Sequence, residues 1–243
     1  RVGHMLEPLV AIVSAILACA VSVHLDVGIN IRLVVLSAII VFIPGLALAL
    51  GLAELAARHL VSGTARVMDA FMLLFKLYFG AFIGIAIGFA LFGQADFVQP
   101  DPLPKWTAWL AIFLLCSSLI VIFRTKLKHA TWSIASGFIA YGSSIGSAMY
   151  LDYTLGTFVG AFAVGVFSNL FNRVANAPAS IVAMQGLIVL VPGSKTYIGL
   201  NSLIEGQDFV YAEHIGQQTF LIFMSLVAGL IFANVALPPK KSL

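Results

Sequence analysis

Pro44-Gly45 and Pro192-Gly193 each interrupt a long apolar run, and the two pairs lie 148 residues apart. Proline lacks an amide hydrogen and clashes with the preceding turn, so it kinks or breaks a helix. The glycine beside it frees the backbone further. A helix broken inside a membrane leaves carbonyls unpaired before the break and N–H groups unpaired after it. The N–H end carries about half a positive charge and suits a carboxylate. The carbonyl end accepts from an ammonium group or a cation, and a zwitterionic amino acid needs both. A lone break of this kind reads as a simple proline kink repaired by its neighbours. Two breaks at matched positions in two halves point instead to a binding site.

Ser194, Lys195, Thr196 and Tyr197 follow the second break, whereas their counterparts Leu46, Ala47, Leu48 and Ala49 are apolar. Lys195 at the bilayer centre would cost about 2.5–3.5 kcal/mol. That cost suggests pairing with a substrate carboxylate or a protein acid; the bland reading is a lysine snorkelling to water. The candidate substrate-binding residues are therefore Pro44, Gly45, Pro192, Gly193, Ser194, Lys195, Thr196 and Tyr197. Asp69 and Lys76, seven residues apart, share one helix face and are candidates for ion coupling. Asp69 is either a proton-coupling carboxylate or an acid at a helix start, and Lys76 either a functional cation or half of an ion pair. Asn169 and Gln185 are polar positions within apolar runs, suited to interhelical hydrogen bonds or to substrate contact.

Other chemistries find no support in the sequence. His24, His59, His129 and His214 have no metal-ligand spacing with cysteine or glutamate. There is no nucleophile elbow and no phosphate loop, so neither an enzyme, a metal nor a cofactor is expected. Cys19 and Cys116 sit in apolar runs and read as small apolar side chains. No basic patch is interleaved with aromatics, which argues against nucleic acid.

These residues must be positioned by membrane helices. The chain is 61% hydrophobic and 9% charged, against about 25% charged for a soluble domain. Apolar runs at 8–24, 33–50, 69–92, 106–123, 131–150, 154–171, 180–200 and 216–237 predict eight transmembrane helices in an all-α integral membrane protein. Arg1, Arg58, Arg66, Arg124, Lys126, Lys128, Arg173, Lys240 and Lys241 then fall on one side. Only Arg32 and Lys105 fall on the other, which makes the basic side, with the C-terminus, cytoplasmic. Gly80, Gly84 and Gly88 form a small-residue stripe, as do Gly156 and Gly160, and both suit close helix packing.

The sequence also aligns with itself. Leu33–Leu55 matches Ile181–Leu203 without a gap, with Ile40/Ile188, Val41/Val189, Gly51/Gly199, Leu52/Leu200 and Leu55/Leu203 identical besides the two proline-glycine pairs. The matched spans run in opposite directions, which predicts an inverted-topology repeat. Residues 1–95 are expected to hold the last three spans of the first repeat, and 96–243 the five spans of the second. Two spans are then expected ahead of residue 8, giving five plus five in the intact protein. A truncated segment, a homodimer or a partner chain would account for them.

Phe42-Ile43-Pro44-Gly45 and Leu60-Val61-Ser62-Gly63-Thr64-Ala65-Arg66-Val67 resemble the first membrane domain of the threonine/serine exporter family. The segment from Gly160 to Arg173, then Pro178 and the segment from Val189 to Gly199, resemble that family's second domain. The resemblance implies export of threonine and serine across a bacterial-type inner membrane, with protons as the coupling partner. An exporter of small dicarboxylates such as succinate is the alternative within the class. A membrane scaffold subunit that transports nothing is the alternative outside it.

Overall fold

The computed structural model describes residues 3–25, 29–56, 58–93, 103–191 and 209–240, which hold helices and turns with no strand among them. The helices are α1 (Gly3–His24), α2 (Ile31–Ile39), α3 (Gly45–Ala56), α4 (Leu60–Phe92), α5 (Thr107–Ile122), α6 (Ala130–Ala148), α7 (Tyr153–Ala175), α8 (Ser180–Leu190) and α9 (Phe209–Ala236). Every expected apolar run thus holds a helix, as apolarity alone requires where no water can pair the backbone. Local chemistry sets several ends. The Asn30 side chain accepts from the Leu33 amide and caps α2. Gly93 ends α4 with φ +91°, a conformation glycine adopts without strain. Asn176 ends α7 in the left-handed region at φ 47°.

Four of the eight expected spans, or five with a bent pair, reach crossing length within the described residues. Among the described residues, Leu6–His24, Leu60–Phe92, Thr154–Ala175 and Gln217–Ala236 are each long and apolar enough to cross a membrane. Ile31–Phe42 and Gly45–Leu52 together make a fifth crossing length, bent by 53° at the proline. The runs at 106–123 and 180–200 yield helices of only 16 and 11 residues, short of the roughly 20 that hydrocarbon requires. Residues 192–200 lie outside the described part. Helix α6 has 19 residues but carries Ser133, Ser136, Ser143, Ser144 and Ser147 on it, so its apolarity is low.

The chain forms two compact units. The first gathers α1, α2 and α4 from Thr64 onward. Its core is Ala11, Ala15, Ala18 and Cys19 of α1, Ile31, Val35, Leu36 and Ile39 of α2, and Leu77, Tyr78 and Ala81 of α4. Glycines bring α1 and α4 close. A Cβ on Gly80 would lie 2.6 Å from the Pro8 carbonyl, on Gly84 2.6 Å from the Ile12 carbonyl, and on Gly88 2.6 Å from Cys19 Sγ. The expected glycine stripe is therefore a packing seam. Phe71, Met72, Phe75, Phe79 and Phe82 on α4 stay exposed, as lipid-facing side chains do.

The second unit gathers α5, α6, α7, α8, α9 from Gln217, and the segment Leu48–Gly63. Gly156 packs on Ser144 and Ala148, and Gly160 on Ala140, Ser144 and Leu190, so α7 meets α6 and α8 closely. Gly165 packs on Ala233 and Leu230, and Gly229 on Phe158 and Ala161, so α7 also meets α9. Trp109 of α5 stacks on Phe138 and meets Tyr141 edge-on, fixing α5 against α6. Cys19 and Cys116 are buried free thiols in separate units.

Candidate functional site

The first proline-glycine break is a built feature. Helix α2 ends at Ile39, a 3₁₀ turn covers Ile40–Phe42, and Ile43 is extended at ψ 119°. Pro44 and Gly45 are buried. The Gly45 amide donates to the Ile43 carbonyl at 2.8 Å, so part of the freed backbone is satisfied locally. The remaining first-turn amides of α3 form the positive end of its dipole. Pro192, Gly193, Ser194, Lys195, Thr196 and Tyr197 lie outside the described residues. On α4, Asp69 is exposed and Lys76 half-buried within the span, and Lys76 has no ion-pair partner among the described residues.

The second unit contains a cavity of about 430 Å³ where α7, α8 and α9 converge. That volume lies in the range of small-molecule sites, roughly 300–1,000 Å³. Its polar wall comes from Ser168, Asn169, Asn172 and Asn176 of α7 and its cap, Ser180 of α8, and Asn234 of α9. Met184, Leu187 and Leu230 supply the apolar wall, and Lys240 stands at the edge. No carboxylate lines it. Asn169, Asn172 and Asn176 recur at three- and four-residue steps, so one face of α7 presents all three.

Hydrogen bonds hold this wall in shape. Asn169 Nδ2 donates to Asn234 Oδ1 at 2.8 Å and to the Leu237 carbonyl at 2.7 Å. Asn169 is thus an interhelical bond-former that also lines the cavity. Asn172 Nδ2 donates to the Ala177 carbonyl at 2.9 Å, and its Oδ1 accepts from the Lys240 amide at 2.8 Å. Arg173 donates to the Pro238 carbonyl at 2.7 Å. The chain after α9 is therefore strapped along α7. The start of α8 adds its dipole to the same cavity.

Neighbouring polar groups differ from expectation. Gln185 is wholly buried, yet both its amide oxygen and its amide nitrogen lack a hydrogen-bond partner. Interhelical pairing, the default for such a residue, does not occur there. His129 is buried against Phe171, ring centroids 5.1 Å apart and edge-on. Burial, then Lys128 and Lys126 beside it, holds its imidazole below the usual histidine range. Glu7, inside the first span, has one buried carboxylate oxygen without a hydrogen-bond partner. The signal that marks Glu7 is an acid within an apolar run, a pattern that the two proline breaks overshadow.

Comparison with known proteins gives the following. The profile described as "Threonine/Serine exporter, ThrE" matches residues 108–236, and a second threonine/serine exporter profile matches residues 2–88. An uncharacterised protein of Schizosaccharomyces pombe is 24% identical over 82% of this chain and 27% of its own length. The pheromone-regulated membrane protein 10 of Eremothecium gossypii is 30% identical over 62% of this chain and 21% of its own length. Its Saccharomyces cerevisiae counterpart is 25% identical over 68% of this chain and 43% of its own length. The chain thus spans less than half the length of these curated relatives. No solved structure matches it.

Proposed function

Because this chain belongs to the threonine/serine exporter family, a multi-pass membrane protein family of transporter type, we propose that it exports small hydroxy amino acids, threonine and serine, by proton antiport. The observation that carries this reading is the cavity of the second unit. Amides and hydroxyls line it, Lys240 and the start of α8 supply positive potential, and no carboxylate opposes them. A zwitterion with a hydroxyl side chain matches that wall. Its carboxylate goes toward the α8 start, and its hydroxyl and ammonium go to asparagine oxygens.

The proline-glycine breaks belong to the same reading. Pro44-Gly45, and Pro192-Gly193 with Ser194, Lys195, Thr196 and Tyr197, are places where the helix dipoles meet solute during transport. Asp69 and Lys76 are coupling candidates on α4. The inverted five-plus-five repeat and a cytoplasmic C-terminus complete the proposal.

Dicarboxylate export is the second reading, and Lys76 favours it: a half-buried lysine within a span, without an ion-pair partner among the described residues, suits a second carboxylate. Inverted vesicles carrying the intact protein, under an imposed pH gradient, separate the two. Labelled threonine should accumulate and labelled succinate should not, and Asn172→Ala should weaken threonine uptake. Succinate uptake without threonine uptake would establish the second reading. Absence of both fluxes would leave a scaffold.

A further inference from the structure

The buried face of α6 carries serines among small residues: Ser133, Ser136 and Ser144 beside Gly137 and Ala140, with His129 just ahead of the helix. His129, Ser133, Ser136 and Ser144 sit at steps of four, three and eight residues, which keeps them on one side of the helix. Their exposures are 6%, 0%, 0% and 8%. Helix α8 lies against this face. Ser136 Oγ donates to the Val182 carbonyl at 3.0 Å, and a Cβ on Gly186 would lie 2.5 Å from the same hydroxyl. Gln185 follows Val182 by one turn.

Three polar atoms in this core have no partner: Ser133 Oγ, Gln185 Oε1 and Gln185 Nε2. A buried polar atom left without a partner is destabilising, so three together are too costly to stand dry. Buried groups of this type are ordinarily completed by water, which needs two to four polar partners. The occupant must be small. A Cβ on Gly186 would lie 2.7 Å from Val164, and one on Gly137 would overlap Cys116 Sγ, so the surroundings are filled. Among the described residues no charged side chain is buried in this core, so none there would partner an ion.

We propose that Ser133 and Gln185 hold internal water in the core of the second unit, and that this water, with His129 and the serines of α6, conducts the proton in antiport. The proposal rests on the proton-antiport reading above. Each water or serine hydroxyl accepts a proton on one lone pair, releases another and rotates back before the next passage, while the Gln185 amide holds the water by hydrogen bonds and carries no proton itself. The ionisable groups on neighbouring elements are Lys126 and Lys128 beside His129, Arg173 of α7 with its guanidinium on Pro238, Lys240 after α9, and Cys116 of α5. Helix α8 has none. His129 is thus the ionisable group among the side chains of the path itself, held below the usual histidine range by burial and by Lys128 and Lys126.

The test uses the intact protein in liposomes, as wild type and as Gln185→Leu, Ser133→Ala and Gln185→Glu. Three readouts are taken: threonine–threonine exchange at equal pH, gradient-driven threonine flux with a luminal pH dye, and water-to-side-chain transfer by solid-state NMR. Gln185→Leu and Ser133→Ala should retain exchange but lose roughly tenfold or more of the gradient-driven flux and dye response. Gln185→Glu, which still binds water, should retain coupling. Wild type should show water transfer to the Gln185 amide, a signal absent in Gln185→Leu. A dry Gln185 amide in wild type overturns the proposal without touching antiport. So does full coupling in the Leu and Ala variants. Wild-type exchange with no response to the pH gradient overturns antiport itself, and the proton path with it. Should Gln185→Leu fail to fold, Ser133→Ala and the wild-type NMR signal decide alone.

Discussion

Replacing Gly84 by alanine tests whether α1 and α4 are locked together. The added methyl would lie 2.6 Å from the Ile12 carbonyl oxygen, 2.7 Å from Ala15 Cβ and 2.8 Å from Ile12 Cα. Carbon atoms pack best about 3.5–4.0 Å apart, so α1 would have to move by close to 1 Å. Two of the three contacts are backbone, and no side-chain rotation relieves them. Gly142→Ala in α6 is the control, because its methyl would meet only the Trp109 ring end at an ordinary 3.6 Å. Both substitutions gain about the same helix propensity, about 1 kcal/mol, so the difference between them isolates the overpacking. That difference should be roughly 1–3 kcal/mol, a gap of about 2–12 °C in melting temperature for a chain of this size. Intrinsic fluorescence of detergent-solubilised protein, melted at one scan rate, reads it. Equal melting of the two variants would refute the seam, and would return the glycine stripe to a sliding contact.

Three further outcomes follow from burial and hydrogen bonding. His129 binds a proton less readily folded than unfolded; its stabilising share is therefore full above about pH 6.5 and is lost as pH falls below it. Melting temperature should fall between pH 7.5 and 5.5 in wild type and fall less in His129→Gln; parallel curves would contradict this. Asn172→Ala removes the bonds to Ala177 and Lys240, costs about 1–3 kcal/mol, and should expose the chain after α9 to limited proteolysis; unchanged cleavage would show the strap is held elsewhere. Cys19 and Cys116, both buried, should resist a membrane-permeable maleimide until denatured, and rapid labelling of folded protein would show that one unit opens.

Much of the helical layout was legible because lipid leaves an apolar run few alternatives to a helix. The bend at Pro44 was legible for the same local reason: proline cannot donate to the ladder. Span lengths were less so. Helix α4 begins at Leu60, nine residues before its apolar run, because the polar stretch Ser62–Asp69 continues the helix without containing proline. Helix α8 ends at Leu190 although the apolar run continues, since Pro192 stops it first. The asparagine cavity was hidden for a different reason. Asn169, Asn172 and Asn176 share a face in sequence, but they become a wall only when Asn234 and Lys240 fold back over α7. Gln185 shows the limit most clearly. Sequence reveals a polar residue in an apolar helix, and only packing reveals that its amide faces no protein partner.

The seam between α1 and α4 fixes more than a distance. Pro8 meets Gly80, Ile12 and Ala15 meet Gly84, and Cys19 meets Gly88, so the residue numbers climb in step along both helices. Two membrane helices pointing the same way require the stretch between them to return through the bilayer an odd number of times. The bent pair of α2 and α3 is the apolar stretch that can do so. Counted as one span, that pair would carry its 53° bend at Pro44 within a single passage.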